Sequence, residues 1–400
     1  MYKNGFGYQI LGYYVGRKSM KKRSFVLATA LASLALFSVD ANAEGLKNIP
    51  EAPKGGRFKT PTDLVWPAQA GQGDVCLWKD DKFAALAITI DDNCKKDHEW
   101  WLKICDELGI KVTWFVITDK VGKINIGFNG TWEDWQKLAN AGHSIQSHTT
   151  NHKSNKKDDP NKMTEEEIVA QYRDSLAIIN ENVTNNFACT IAYPNGVAHP
   201  EIAARYAIGA RGVYGVPSPA NNINYMCTNK GAASQAFIDA ILYGKSEHEP
   251  KWMQNRPNLK RGLNIILYHL VHWGHSPEQI EQSVANVEAE VRNIAKYKDV
   301  IWIARFDDLM KYGQERDTAK LVVDPISKAG EISFKLTCDM DLTLFDYPLT
   351  IKLCLGDKAN SITAMQGEKN IPARIVEHDG KAYAIVDALP NGIPVKVSYK

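Results

Sequence analysis

Phe83-Ala-Ala-Leu-Ala-Ile-Thr-Ile-Asp-Asp-Asn93 is an apolar run that ends abruptly on two adjacent carboxylates, Asp91 and Asp92. Phe83–Ile90 reads as a short buried strand, since continuous apolar runs bounded by turn signals suit strands covered on both faces. Outward from it, the period alternates between strand and helix. Lys96–Leu108 places Trp100, Trp101, Ile104, Cys105 and Leu108 on one helical face, and Gly109 stops the helix. Lys111–Ile117 is the next strand. Thr131–Asp134 is a capping-box-like start for a helix running to Ala141-Gly142, and a short strand then leads into His148. Thr164–Glu167 opens a long helix ending near Asn185. Further on, the expected strands are Ala188–Pro194, Gly212–Val216, Asn264–Leu270 and Val300–Phe306. The expected helices are Pro200–Ile208, Ser234–Tyr243, Pro277–Lys296 and Asp307–Tyr312. Such alternation means a parallel α/β architecture, and this many units suggest a barrel.

A second stretch supplies chemistry. Gly142-His-Ser-Ile-Gln-Ser-His-Thr-Thr-Asn-His152 carries His148 and His152 four residues apart. Two imidazoles and one carboxylate suit a divalent metal such as zinc, with coordination positions left open. One carboxylate remains spare, and a hydrolase with a metal site needs such a group as general base. Asp91, Asp92, His148, the Tyr193–Gly196 segment and His269 all follow expected strands, and α/β barrels place their chemistry at the carboxyl ends of strands.

Thr89-Ile-Asp-Asp92 and His148-Thr-Thr-Asn-His152 resemble the first two motifs of the polysaccharide deacetylase family, the NodB-homology domain of carbohydrate esterase family 4. The resemblance covers roughly Phe83 to Tyr312. It implies a distorted (β/α)7 barrel, with Asp92, His148 and His152 as metal ligands and Asp91 as general base. Zinc is the first expectation for the metal, with cobalt or nickel as alternatives. The family's third motif is Arg-x-Pro-x-Gly, whose Arg orients the catalytic aspartate. Here the frame reads Ala192-Tyr193-Pro194-Asn195-Gly196, so Ala stands where Arg would be. Tyr193 and Asn195 remain as oxyanion and substrate contacts, through the Asn195 N–H above all. Arg211 is the nearest substitute cation, and without the motif's Arg the pKa of Asp91 is expected to be higher than is usual in the family. Leu267-Tyr268-His269 resembles the last motif, which makes His269 the general acid. The fourth motif, which orients that His, is not recognisable between Gly215 and Lys260. His98, His143, His199, His248 and His378 carry no motif and read as structural or surface residues. The resemblance implies removal of N- or O-linked acetyl groups from an acetylated polysaccharide or oligosaccharide. The alternative is a glycan-binding protein on an impaired deacetylase scaffold, motivated by Ala192 and the missing fourth motif.

Composition bounds the rest. The 400 residues suit two domains, 44% are apolar, and the net charge of +2 with scattered Lys and Arg excludes a nucleic-acid surface. Seven Cys is an odd count, so at least one is unpaired within the chain. Residues 1–43 read as an upstream extension plus a secretory signal: Met20-Lys-Lys-Arg is basic, Phe25–Phe37 is apolar, and Ala41-Asn-Ala43 is a cleavage site. The expected start is Met20 and cleavage follows Ala43, giving a periplasmic or extracellular protein with no membrane span. Residues 44–82 read as a linker or strap, 83–313 as the deacetylase barrel, and Gly313–Lys320 as a charged connection. Residues 321–400 switch to period two and read as a small β-sandwich, with hairpin signals at Asp379-Gly380 and Asn391-Gly392. Cys338 and Cys354 fall on neighbouring expected strands, close enough in sequence order to pair. All motifs precede Asp308, so the appended segment is expected to brace the barrel.

Overall fold

The computed structural model describes residues 65–156 and 161–400; the expected signal segment lies outside the described residues. The strands in chain order begin with β1 (Gly73–Val75), β2 (Ala84–Ile90), β3 (Thr113–Val116), β4 (Ser144–Ser147), β5 (Thr190–Ala192), β6 (Gly209–Arg211), β7 (Leu263–Tyr268) and β8 (Ile301–Ile303). Seven of these, β2 to β8, form one parallel sheet with β2 near its centre. Every residue of β2 is buried, as its uninterrupted apolar run demands. One edge of β2 pairs with β7 over Ala85–Ile90. The other edge is shared, with β8 beside Ala84–Leu86 and β3 beside Thr89 and Ile90.

The sheet curls, and irregular chain joins its outer strands. Ala210 N donates to Tyr225 O at 2.7 Å and Thr228 N to Ala210 O at 2.8 Å, while Ser218 and Leu263 exchange both backbone bonds at 2.8 and 2.9 Å. The segment between β6 and β7 thus hydrogen-bonds to both. The strand expected at Gly212–Val216 forms earlier, at Gly209–Arg211, because Val213 and Tyr214 leave the ladder to line a cavity.

Helices α1 (His98–Leu108), α2 (Ile126–Asn129), α3 (Trp132–Asn140), α4 (Glu165–Asn182), α5 (Pro200–Ala203), α6 (Gln235–Tyr243), α7 (Pro277–Ala295) and α8 (Phe306–Thr318) complete the α/β part. Thr131 and Thr164 head α3 and α4 with the expected capping boxes, each exchanging bonds with the acidic residue three positions on. The period of two along β2 sorts its side chains between two cores. Leu86, Ile88 and Ile90 pack with the helix layer, beside Trp101, Leu138 and Ile179. Ala85 and Ala87 face inward, where Phe115, Phe306, Met310 and Tyr312 fill the sheet's concave side.

The remaining strands are β9 (Lys320–Val323), β10 (Glu331–Thr337), β11 (Leu349–Gly356), β12 (Ile362–Gln366), β13 (Lys369–Ile371), β14 (Ala373–His378), β15 (Lys381–Ala388) and β16 (Val395–Tyr399). They form two antiparallel sheets, β1-β11-β15-β14 and β13-β12-β16-β10-β9. Apolar residues of both sheets, among them Leu353, Val386, Phe334 and Val397, share one core with the inward face of the parallel sheet. Asp379-Gly380 turns β14 into β15 with both residues at positive φ, as read. Asn391-Gly392 is no hairpin: it carries the chain from β15 in one sheet to β16 in the other.

Three features correct the sequence reading. β1 lies inside the expected strap but pairs with β11, Val75 opposite Ile351. The charged connection Gly313–Lys320 is mostly the end of α8, where Gln314, Glu315 and Arg316 are buried. Arg316 is satisfied there because its Nη1 donates to Leu77 O at 2.8 Å and its guanidinium lies over Trp78. All seven cysteines are free thiols, since Cys338 lies beyond the end of β10 and Cys354 on β11 of the other sheet. Among the described residues no helix is long and apolar enough to cross a membrane.

Candidate active site

Asp91 follows the last residue of β2 on the inward side and is almost closed to solvent. Its backbone N–H donates to Tyr268 O at 3.0 Å, tying it to β7. Arg211 Nη2 donates to both carboxylate oxygens, at 2.6 and 2.5 Å. Arg211 is itself fully buried at the end of β6, over the Phe115 ring, and the register sets it directly opposite Ala192. A cation thus reaches Asp91 from the strand next to the one that carries Ala192. Burial pushes the Asp91 pKa up, but Arg211 and His148 outweigh it, and the group sits below the ordinary carboxylate value. Arg211 thus supplies, from the next strand, the cation whose absence at Ala192 motivated the expectation of a higher Asp91 pKa.

Asp92 lines the same cavity as Asp91, and both carboxylates approach His148 Nε2, each at 3.6 Å. The chain enters the left-handed region at three successive residues, Asp92 (φ 64°), Asn93 (φ 65°) and Cys94 (φ 40°). Such strain persists only where surroundings impose it. Here the buried Asn93 side chain does so, accepting from Ile117 N at 2.8 Å and donating to Asn129 O at 3.3 Å. Asp92 Oδ1 then lies 3.6 Å from His148 Nε2 and 3.5 Å from His152 Nε2. One donor atom from each of the three residues falls within 4.8 Å of the others.

The donor set fits a divalent ion. His148 Nδ1 lies 2.9 Å from Ala192 O, and a carbonyl only accepts, so Nδ1 carries the proton and Nε2 presents its lone pair to the cluster. Burial and the neighbouring His148 hold the His152 imidazole below its usual pKa, which keeps it neutral as a ligand must be. His152 also sits at positive φ, 65°, which brings its ring against His148 at 4.6 Å.

All seven residues singled out in the sequence line one cavity of about 550 Å³: Asp91, Asp92, His148, His152, Tyr193, Asn195 and His269. Lys156, Val197, Val213, Tyr214 and Leu267 complete it. The Tyr193 contribution needs correction. Its hydroxyl donates to Met226 O at 2.7 Å and its N–H to Arg211 O at 3.0 Å, so both donors are engaged in the wall. Asn195 stands at φ 55° and its side chain donates to Ser154 Oγ at 3.0 Å, fixing the Pro194–Gly196 turn beside the His148–His152 loop. His269 lies across the cavity, its Nε2 3.7 Å from Asp92 Oδ2. His98 and His143 are buried in packing roles, bound to Asn93 O and Val112 N. Sequence reading missed Lys156 and Tyr214, which stand in loops with no motif; Tyr214 is 75% exposed at the rim.

Residues 79–211 match the family model for polysaccharide deacetylases. A Bacillus gellan lyase is 33% identical over 383 residues, which is 92% of this chain but 15% of that protein. Solved structures to which the chain shows some similarity include the Xyl-CE4 domain of a multidomain xylanase from the hindgut metagenome of Trinervitermes trinervoides, at 16% identity and a TM-score of 0.35, covering 57% of this chain and 90% of that one. A carbohydrate esterase family 4 pseudoenzyme from Bacillus anthracis matches at 14% identity and a TM-score of 0.34, covering 57% and 66%. Through residues 79–211, whose Asp91, Asp92, His148 and His152 line one cavity at the ends of β2 and β4, the chain is similar to the polysaccharide deacetylase family.

Proposed function

We propose that this protein is a metal-dependent hydrolase that removes N- or O-linked acetyl groups from an acetylated polysaccharide or oligosaccharide. The observation that carries the reading is the pairing of Asp91 with Arg211 beside the Asp92, His148 and His152 donors. Asp92, His148 and His152 would hold the ion, with zinc as first choice and cobalt or nickel as alternatives. A divalent metal bound there polarises a carbonyl and acidifies water. Asp91, kept ionised by Arg211, takes the proton of the attacking water. The Asn195 N–H supports the developing oxyanion, held in place by the Asn195–Ser154 bond. His269, on the opposite wall, protonates the departing amine or alcohol. Tyr214 at the rim offers an aromatic face to a sugar ring. The two antiparallel sheets act as a sandwich that braces the parallel sheet from its concave side.

The relative that is named a gellan lyase supports a polysaccharide as substrate class. The alternative, an inactive glycan binder, loses its main motive, because Arg211 supplies the cation that Ala192 lacks. The test is acetate release from acetylated xylan and from chitooligosaccharides, with and without a chelator. Chelator-sensitive release is expected from one of them. Glycan binding without release from either would favour the binder.

A further inference from the structure

The ring of His269 meets no hydrogen-bonding side chain closer than Asp92 among the described residues, and it is 55% exposed. Its orientation therefore depends on the backbone of the turn that follows β7. That turn is gripped by one side chain. Asp97, fully buried, accepts from Val271 N at 2.5 Å, from His272 N at 3.1 Å and from His272 Nδ1 at 2.6 Å. Three donors converge on a carboxylate that, ionised, only accepts. Ser283 of α7 secures the far side, donating to Val271 O at 2.7 Å.

Asp97 is equally tied to the other half of the site. Its N–H donates to Cys94 O at 2.9 Å, Cys94 N donates to Asp92 O at 2.7 Å, and Cys94 Sγ lies 3.2 Å from Asp91 O. The left-handed run Asp92–Cys94 is what returns the chain so that Asp97 points back toward β7. A single residue thus couples the loop that carries Asp91 and Asp92 to the loop that carries His269.

We propose that Asp97 is a positioning residue for the acid step: it fixes the 269–272 turn so that His269 faces the leaving group across the metal site. His272 serves as one of the three anchors of the turn and donates no proton to substrate. This rests on the deacetylase reading. A misplacement of about 1 Å at a catalytic group slows a reaction by roughly 10²-fold. The effect should fall on steps that need protonation of the leaving group.

The experiment compares Asp97→Asn and His272→Gln with the wild type on two substrates. One is an acetylated chitooligosaccharide or xylan, whose amine or alkoxide must be protonated to leave. The other is 4-nitrophenyl acetate, whose nitrophenolate leaves unaided. Asp97→Asn sets an amide N–H against the donors of the turn. It should lower kcat on the glycan by roughly 10²-fold, with KM, metal content and the rate on 4-nitrophenyl acetate little changed. His272→Gln keeps both backbone donors on Asp97 and should cost far less. Equal losses on both substrates, or a His272→Gln loss matching that of His269→Ala, would overturn the proposal. If Asp97→Asn does not fold, Asp97→Glu, which displaces the charge, should show the same leaving-group dependence. NMR of the His269 ring decides the matter apart from activity. A wild type that releases no acetate defeats the deacetylase reading, and His269 signals unmoved in a folded Asp97 variant defeat the positioning role.

Discussion

Asp91 and Glu315 are both closed off from solvent, yet the first sits below the ordinary carboxylate pKa and the second at about 8. Burial pushes both upward. At the mouth of the parallel sheet, Arg211 gives both ends of the Asp91 carboxylate a charged donor and reverses the effect. At the seam between α8 and the antiparallel sheets, Glu315 receives only Tyr347 N at 3.1 Å, and its second oxygen has no hydrogen-bond partner. Lys311 is too weak a counterweight. The partner, rather than depth, decides which buried acid keeps its charge. The charged one lies at the cavity that the chemistry needs, and the neutral one inside a packing interface, where a charge would be a defect.

Removing the seam altogether should have the largest effect. Deleting residues 321–400 strips Phe334, Leu353, Val386 and Val397 from the core that Phe115, Phe306 and Tyr312 share. The truncated chain is expected to be insoluble or unfolded by circular dichroism. A soluble, folded and active remainder would show that the two regions are independent after all.

At the mouth, Asp91→Asn should retain metal by elemental analysis and lose roughly 10²–10⁴-fold in acetate release, the usual worth of a general base. Full activity in that variant would break the proposed mechanism. Arg211→Met should convert Asp91 into a second Glu315, buried and without its cation. Its expected cost is about 3–5 kcal/mol in denaturant unfolding. The rate should then need higher pH, because the base works ionised. Restoring the cation from the opposite strand position, as Ala192→Arg in the Arg211→Met background, should bring the pH profile back. A profile that never moves would mean that Arg211 does not tune Asp91.

The smallest effect belongs to Glu315→Gln. The folded Glu315 holds a proton up to about pH 8, whereas the unfolded chain releases it near its ordinary 4.5. Between those values the folded state binds more protons, so Glu315 makes the wild type lose stability as pH rises. Asp91 has the opposite sign: its lowered pKa adds stability above the unfolded value, which is lost as pH falls through the folded one. Glu315→Gln should flatten the fall and raise the unfolding midpoint at pH 8, with little change at pH 4. A variant less stable than wild type at pH 8 would show that the seam holds Glu315 ionised.

Much of this was legible in the sequence, because long apolar runs and paired carboxylates carry their own period and spacing. Phe83–Ile90, the helices near Lys96–Leu108 and Pro277–Lys296, and the Asp/His cluster fall where the residues place them. Arg211 was readable as the nearest substitute cation, but its place opposite Ala192 was hidden by register. With the sixth strand read at Gly212–Val216, Arg211 lay outside it and could not be set opposite Ala192. Gly313–Lys320 looked like a linker because it is charged; carbonyls of Leu77 and Ala220, far away in sequence, satisfy Arg316. Tyr193 looked like a substrate contact because nothing local reveals that Met226 and Arg211 already take its two donors. Asp97 carried no signal at all: a lone Asp in a turn acquires meaning only when β7 delivers Val271 and His272 to it.

The pairing of β1 with β11 bears on the order of events during synthesis. Lys352 Nζ reaches back to Val65 O across 287 residues of chain. The sheet β1-β11-β15-β14 cannot assemble until β15 has emerged, by which time every strand of the parallel sheet has long been available. Contacts between such distant segments are slow to form, because loop closure must precede any gain from pairing. The inward face of the parallel sheet, with Phe115, Phe306 and Met310, therefore waits uncovered for its partner sheets, and that interval is when a nascent chain is most exposed to aggregation.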